Sequence, residues 1–471
     1  MAIKAVIALH GPSADCQVWT LALLKTFQVS IAGDVMIRII LPFIVLVSGL
    51  WAWNLALGPG AGSPWAVYDQ SLLLSGLLSI ALMSLAMMLA LRPVWLERPL
   101  GGLDQIYLIH KWAGILAVVF AAAHWLIEMG DDVIESIFGE AGKFDQDYSG
   151  FIDAMRDAAE DIGEFAVYLL FAMLLITLWR KFPYKYWRYL HRGMPALYLL
   201  LAFHAAWLTP LQWWQQPIGL LMAILLLGGS LASGLSLTGR VGRRRQVRGT
   251  VTAIKTPARD VTEVTCHLGP AWRGHRAGQF AFVTFDRLEG AHPFTIASAD
   301  RANGTVTFLI KSLGDYTRNL SQKISVGQTV KVEGPYGRFN FDRRNRKSHQ
   351  IWIAGGIGIT PFLAWLEALD SSTATAPEAD LHYCTRNADE DPMVGRLRVL
   401  CGGFPGIHLE IHDSSRGQAL SAEKLSTNGH PTANAEVWFC GPAGLGQAIR
   451  KGLRAAPLRL TRFHKEAFQF R

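Results

Sequence analysis

The sequence predicts a multidomain protein: a six-helix transmembrane bundle, then an antiparallel β-barrel, then an α/β nucleotide-binding domain. Three observations predict it. The first half of the 471 residues gathers long apolar runs, and the whole chain is 51% hydrophobic with a mean hydropathy of +0.22. Four histidines lie inside those runs in two pairs. After residue 245 the pattern changes to short β-like runs, then to strand, glycine loop and helix.

Six membrane helices are expected near 35–57, 70–91, 104–128, 162–179, 188–209 and 217–238, within a domain over 35–240. Residues 1–34 lack a signal-peptide layout and read as a cytoplasmic segment. The net charge of +8 gathers beside the helices, at Arg92 and Arg98, at Arg180, Lys181, Lys185 and Arg188, and after helix six. Positive charge marks the cytoplasmic side, so both termini are expected there, and nucleic acid is not an expected partner. The loop from Gly130 to Asp161 carries nine carboxylates from Asp131 to Glu160 against Lys143 and Arg156, and is expected outside. The five cysteines (Cys16, Cys266, Cys384, Cys401 and Cys440) show no metal-ligand spacing and read as reduced thiols.

Ionisable side chains within membrane helices are costly and mark functional sites. His110 and His124 are 14 residues apart on the third helix, which is about 21 Å of rise. His191 and His204 are 13 apart on the fifth. By the charge-derived topology both helices run outward, so His110 faces His191 near the inner side and His124 faces His204 near the outer side. Imidazole is an axial ligand of haem iron, and each pair is expected to clamp one haem. Thirteen residues miss the same helix face by about 140°. A kink at Gly193 and Pro195 is expected to supply the rotation.

Regular short strands such as QVRGTVTAIK, VTEVTCHL, GQFAFVTF and GTVTFLIKS predict the barrel, over 246–345. The run IWIAGGIGITPFLAWLEAL and the later strands LHYCT, IHLEIHD and EVWFCG predict a parallel sheet, over 348–471. Glycines Gly355, Gly356 and Gly358 let the backbone approach a pyrophosphate. The helix that begins near Thr360 and Pro361 offers its free N–H groups.

His292-Pro293-Phe294-Thr295-Ile296-Ala297-Ser298 resembles the flavin-binding motif of ferredoxin-reductase-type domains, specifically those of the NADPH oxidase and ferric reductase superfamily. Gly314-Asp315-Tyr316-Thr317 resembles the second FAD segment of that family, and Gly334-Pro335-Tyr336-Gly337 its interdomain turn. The Gly355–Pro361 run resembles its G-x-G-x-T-P nicotinamide-nucleotide loop, Cys440-Gly441-Pro442 its CGP segment, and Glu466-Ala467-Phe468 its E-x-F ending. The histidine spacings also match the family's bis-haem core.

The resemblance implies a bacterial cytoplasmic-membrane flavocytochrome with two b-type haems, FAD and NADPH, NADH being the alternative nucleotide. Thr295 or Ser298 lies at the flavin's reactive edge, Phe468 or Phe470 covers the flavin, and Arg92 pairs with an inner haem propionate. Arg386 suits a 2′-phosphate. Electrons pass from NADPH through FAD and the two haems to oxygen, giving superoxide. Outward movement across a cell-negative membrane is favoured by about 2.3 kcal/mol per 100 mV for each electron. Oxygen-reducing members place a His one turn past the outer ligand and an Arg at the outer end of helix two. Here Glu128 stands at the first place and Asp69, Gln70 and Ser71 near the second, so a ferric chelate is the alternative acceptor. A relay to a protein partner docked on the acidic loop is the third reading.

Overall fold

The computed structural model describes residues 36–57, 63–140, 143, 149–179, 182–314, 316–345, 347–371, 376–427, 434–455 and 459–466. The N-terminal segment 1–34, Asp315 and Phe468 lie outside these residues. The chain divides into a helical unit, within 30–241, and a sheet-containing unit, chiefly 242–471.

The helical unit comprises α1 (Leu41–Leu57), α2 (Pro64–Ala90), α3 (Val94–Leu100), α4 (Leu103–Glu128), α5 (Asp131–Phe138), α6 (Phe151–Leu178), α7 (Tyr184–His191), α8 (Met194–Leu208) and α9 (Pro217–Leu237). Among the described residues, five helices are long and apolar enough to cross a membrane, the spans that contain α1, α2, α4, α6 and α9. The expected fifth helix is broken in two. Pro195 has no N–H to donate to the carbonyl of His191, so the ladder stops at Arg192–Gly193 and restarts as the 15-residue α8. At about 22 Å, α8 alone falls short of a hydrocarbon core of about 30 Å.

Two other boundaries differ from expectation. α2 starts at Pro64, where the Ser63 hydroxyl accepts from the Ala66 N–H at 3.1 Å. α6 starts at Phe151, so the acidic end of the 130–161 loop is helical; Asp153 in its first turn suits the positive end of the helix dipole.

α2 is the most buried span of the bundle. Its Ser84 hydroxyl pairs with the Tyr198 hydroxyl of α8 at 2.8 Å, and Ser79 donates to the Ala117 carbonyl of α4 at 3.0 Å. Gly229 of α9 leaves room for the Tyr198 ring, since a Cβ there would overlap it. Val45, Trp53, Val119, Leu126, Phe165, Leu175, Leu220 and Leu227 are exposed on the outside of the bundle, the pattern of helices solvated by hydrocarbon.

In the sheet-containing unit, six strands form an antiparallel sheet in the order β4-β3-β6-β1-β2-β5. They are β1 (Gln246–Ala258), β2 (Val261–His267), β3 (Phe280–Thr284), β4 (His292–Thr295), β5 (Thr305–Lys311) and β6 (Thr329–Tyr336). One antiparallel bridge, Ile296 to Phe308, links the chain just past β4 to β5 at the far end of the order. Alternate residues such as Val251, Val264, Val283, Phe308, Val330 and Val332 fill the core.

The remainder is a five-stranded parallel sheet in the order β11-β10-β7-β8-β9. Its strands are β7 (His349–Gly355), β8 (Ala379–Thr385), β9 (Ile407–Asp413), β10 (Asn434–Cys440) and β11 (Arg459–Glu466). Helices α10 (Thr360–Asp370), α11 (Pro392–Gly402) and α12 (Ala443–Ala455) connect them. Trp352, Phe362, Trp365, Tyr383 and Trp438 pack one face, and Ile353, Val437, Phe439 and Leu453 the other. Strand order reverses between β7 and β10, so the carboxyl ends of these two strands flank the switch-point crevice where open α/β sheets bind ligands.

Candidate functional site

The four histidines of the helical unit meet in two pairs of the same geometry. The ring centroids of His110 and His191 lie 6.2 Å apart at an interplanar angle of 86°, and those of His124 and His204 also 6.2 Å apart at 86°. Two imidazole nitrogens on one metal ion, each about 2 Å from it and about 1.1 Å from its own ring centroid, give a centroid separation of about 6.2 Å. Each gap therefore has the width of one doubly ligated ion.

The backbone orients three of the rings. Nδ1 of His110 donates to the Ala86 carbonyl at 2.8 Å, Nδ1 of His124 to the Leu72 carbonyl at 2.9 Å, and Nδ1 of His204 to the Ala159 carbonyl at 2.8 Å. A carbonyl only accepts, so the proton of each neutral ring sits on Nδ1 and the lone pair on Nε2. His191 is held differently, stacked on Trp187 at 4.8 Å; the Trp187 indole N–H donates to Thr177 at 3.0 Å. Gly76 and Gly163 give His124 and His204 their space, because a Cβ at Gly76 would stand 3.0 Å from the His124 ring and one at Gly163 would overlap His204.

Arg92 follows Ala86 by six residues, at the same end of α2 as the His110 contact, with φ of +54°. At the His204 end, a cavity of about 240 Å³ is lined by Ile152, Arg156, Ala206, Trp207, Leu211 and Trp214. Arg156 donates to the Trp207 carbonyl at 2.9 Å and lies one turn before Ala159 on α6. The sequence offered Arg156 only as one of two cations in an acidic stretch; its place beside the His204 site follows from the early start of α6.

In the antiparallel sheet, β4 carries His292, Pro293, Phe294 and Thr295. The His292 ring stacks on Tyr316 at 4.2 Å and 10°. Burial pushes the Tyr316 hydroxyl up to about 12, so it is neutral at physiological pH. Thr295 is buried and its hydroxyl has no hydrogen-bond partner among the described residues. Ser298, by contrast, is engaged: its hydroxyl accepts from the Thr307 N–H at 3.1 Å. The Thr317 hydroxyl accepts from the N–H groups of Leu313 and Gly314 at 3.0 and 3.1 Å, which closes the loop on itself. Gly334 packs on Ala281. Gly337, at φ of +96°, packs against Phe280, where a Cβ would stand 2.9 Å from the ring.

At the ends of β7 and β10 the two predicted loops meet. A Cβ on Gly355 would stand 2.6 Å from Pro442, one on Gly441 would stand 2.9 Å from the Gly355 nitrogen, and one on Gly358 would overlap the Cys440 carbonyl. These glycines thus serve the approach of one loop to the other, while Gly356, at φ of +54°, faces open space apart from Lys311. The Thr360 hydroxyl donates to the Ile357 carbonyl at 2.7 Å, and Pro361 occupies the first turn of α10. Arg386 is exposed just past β8, its carbonyl accepting from the Ser415 N–H at 3.0 Å. Cys440 pairs with Glu466 across β10 and β11. Burial pushes both the Cys440 thiol and the Glu466 carboxyl well above their ordinary ranges, and Oε2 of Glu466 has no hydrogen-bond partner among the described residues. The sequence offered Glu466 only as part of an ending motif; its burial next to Cys440 comes from the parallel register.

Residues 75–202 match the family model of the ferric reductase like transmembrane component, and residues 247–340 match that of an FAD-binding domain. The chain is 29% identical over 153 residues to the vanillate O-demethylase oxidoreductase of Pseudomonas putida, covering 32% of this chain and 45% of that protein. It is 32% identical over 152 residues to the carnitine monooxygenase reductase subunit of Escherichia coli, covering 32% and 44%. It is 26% identical over 225 residues to the propane 2-monooxygenase reductase component of Rhodococcus jostii, covering 45% and 60%. The chain spans about half the length of these relatives. Among solved structures, a flavohemoglobin from Malassezia yamatoensis aligns with 72% of this chain and 92% of its own at 18% identity and a TM-score of 0.45. The chain thus carries a region similar to the transmembrane component of ferric reductases, followed by a region similar to FAD-binding domains.

Proposed function

We propose that this chain is a transmembrane oxidoreductase of a cytoplasmic membrane that moves electrons from NADPH, through FAD and two b-type haems, to an acceptor on the outer side, with oxygen reduced to superoxide. The observation that carries the reading is the matched geometry of the histidine pairs, both at 6.2 Å and 86°. His110 and His191 would hold one haem and His124 and His204 the other. Bonds from Nδ1 to backbone carbonyls keep Nε2 of His110, His124 and His204 available and raise its basicity. Arg92 would meet a propionate of the haem at its own end. When bound, flavin and haem supply the change from a two-electron donor to single-electron transfer.

The unpartnered Thr295 hydroxyl supports Thr295 over Ser298 as the residue at the flavin's reactive edge. His292 and Tyr316 present a stacked pair beside it, and Gly314 and Thr317 shape the second FAD segment. The glycine loop ahead of α10 suits the nucleotide's pyrophosphate, and the exposed Arg386 suits the 2′-phosphate of NADPH. The Gly355–Pro442 contact supports a shared role for the Gly355–Pro361 loop and the Cys440–Pro442 segment at the nicotinamide. The basic loops support placing the reductase module and both termini in the cytoplasm.

A ferric chelate is the second reading. Glu128 stands where oxygen-reducing relatives place a His, and the cavity at Arg156 and Trp207 is far larger than a diatomic gas requires and offers a cation to an anionic chelate.

The test is anaerobic reduction of the purified, FAD-loaded protein by NADPH, followed on the haem bands, and then admission of air. Haem reduction, fast reoxidation and dismutase-sensitive superoxide are expected. Haems that stay reduced in air but discharge into ferric citrate would give the metal-reductase reading. Haems that discharge into neither would give a relay to a protein partner. A preparation without a bis-histidine haem spectrum would overturn the proposal.

A further inference from the structure

On one face of the parallel sheet, where β8 meets the edge strand β9, three side chains converge that the redox reading does not use. His382 pairs with Glu410 in the strand register, and His412 stands two residues beyond Glu410 on the same face. Nδ1 of His382 lies 3.1 Å from Nε2 of His412, and Oε2 of Glu410 lies 3.3 Å from the first and 3.6 Å from the second. Both histidines are buried; the Glu410 side chain is 39% exposed and opens the cluster to solvent.

Hydrogen bonding explains this triangle poorly. The contact between the two ring nitrogens accommodates one proton, and the carboxylate oxygen, at 3.3 and 3.6 Å from the rings, stands farther off than the about 2.8 Å of a charge-assisted bond. Elsewhere in the same sheet histidines do close on carboxylates: His349 on Asp380 and His464 on Glu436, each at 2.7 Å. A metal ion explains the spacing. Three donor atoms, each about 2.0 to 2.1 Å from a tetrahedral Zn²⁺, stand about 3.4 Å from one another. Two imidazoles and one carboxylate are borderline donors, suited to zinc and its neighbours rather than to calcium or magnesium.

We propose that His382, Glu410 and His412 form a binding site for a divalent transition-metal ion of the zinc class, with the fourth coordination position open to solvent. The ion ties the edge strand β9 to β8. β9 ends at Asp413, whose carboxylate accepts from the N–H groups of Ala388 and Ser415 at 2.9 Å each, so the tie also braces the loop that follows Arg386.

The test uses the full chain, loaded with haem and FAD, stripped with a chelator and dialysed against Zn²⁺. Retained zinc is counted per chain and its ligands read at the zinc absorption edge, where haem iron does not contribute. One zinc per chain with nitrogen and oxygen ligands at about 2.0 Å is expected. Glu410→Gln, at the solvent edge, is expected to weaken binding at least about tenfold, and His382→Ala to abolish it. His408→Ala, an exposed histidine on the same strand outside the triangle, is expected to bind as the parent does. No zinc retained by the parent would overturn the proposal, as would zinc retained in full by Glu410→Gln and His382→Ala, or zinc lost in His408→Ala.

Discussion

Gly163 lies so close to the imidazole of His204 that a single added Cβ would overlap Nδ1. The ring also donates to the Ala159 carbonyl one turn earlier, so α6 both orients His204 and leaves it room. Gly163→Ala is therefore expected to push the ring off its partner His124. Haem content should fall from two per chain towards one, with FAD content unchanged. Pyridine-haemochrome and flavin assays on the same preparation check this.

Thr295 and Ser298 separate flavin chemistry from folding. Thr295→Ala is expected to keep FAD but slow NADPH-driven flavin reduction about tenfold, the worth of one hydrogen bond of ~1.4 kcal/mol. Ser298→Ala leaves the Thr307 N–H without its acceptor. It is expected to cost about 1 kcal/mol of stability and leave the flavin step nearly untouched. Stopped-flow reduction and thermal release of FAD distinguish the two.

The Gly355–Pro442 contact predicts a nucleotide defect. A methyl at residue 355 must force the β7 and β10 loops apart, at a cost of about 1–3 kcal/mol. Gly355→Ala should raise the KM for NADPH severalfold or more while dithionite still reduces both haems.

Glu466 predicts a pH dependence. Burial raises its carboxyl above the unfolded value of about 4.3. The folded state thus keeps a proton that the unfolded state has lost. The stability that comes from burying the neutral acid is full below about pH 4.3 and declines as pH rises through the folded value. Unfolding of the parent, followed by FAD release, should weaken with rising pH over that window; Glu466→Gln should flatten the profile.

Arg156→Ala removes the cation beside the His204 site. It is expected to slow haem reoxidation by ferric citrate severalfold while leaving NADPH-driven haem reduction unchanged. Stopped-flow traces of the two half-reactions check it.

The meeting of His110 with His191 and of His124 with His204 was legible from near-equal spacing and loop charge, while the break at Arg192–Gly193 that resolves the 13-residue misfit showed only as a Gly and a Pro. The β4 segment and the Gly355–Pro361 loop were legible as local motifs. Other features depend on contacts remote in sequence and leave no local signal: Gly163 under His204, Arg156 at its cavity, Gly355 against Pro442, and Cys440 beside Glu466. The choice between Thr295 and Ser298 likewise needed the partner of each hydroxyl, which β5 supplies to Ser298 alone. The early start of α6 was hidden because its first turns are too polar to read as a membrane span, although they are sound helix formers.

The break at Arg192–Gly193 makes the two rails of the histidine ladder unequal. α4 is continuous and acts as a ruler: inserting one residue between His110 and His124 would swing one of them by about 100° and dismantle a site. The rail formed by α7 and α8 is articulated, and its joint can absorb an added or missing residue. Over evolutionary time, length changes at that joint are the ones such a bundle can survive, while the stretch from His110 to His124 must hold its length.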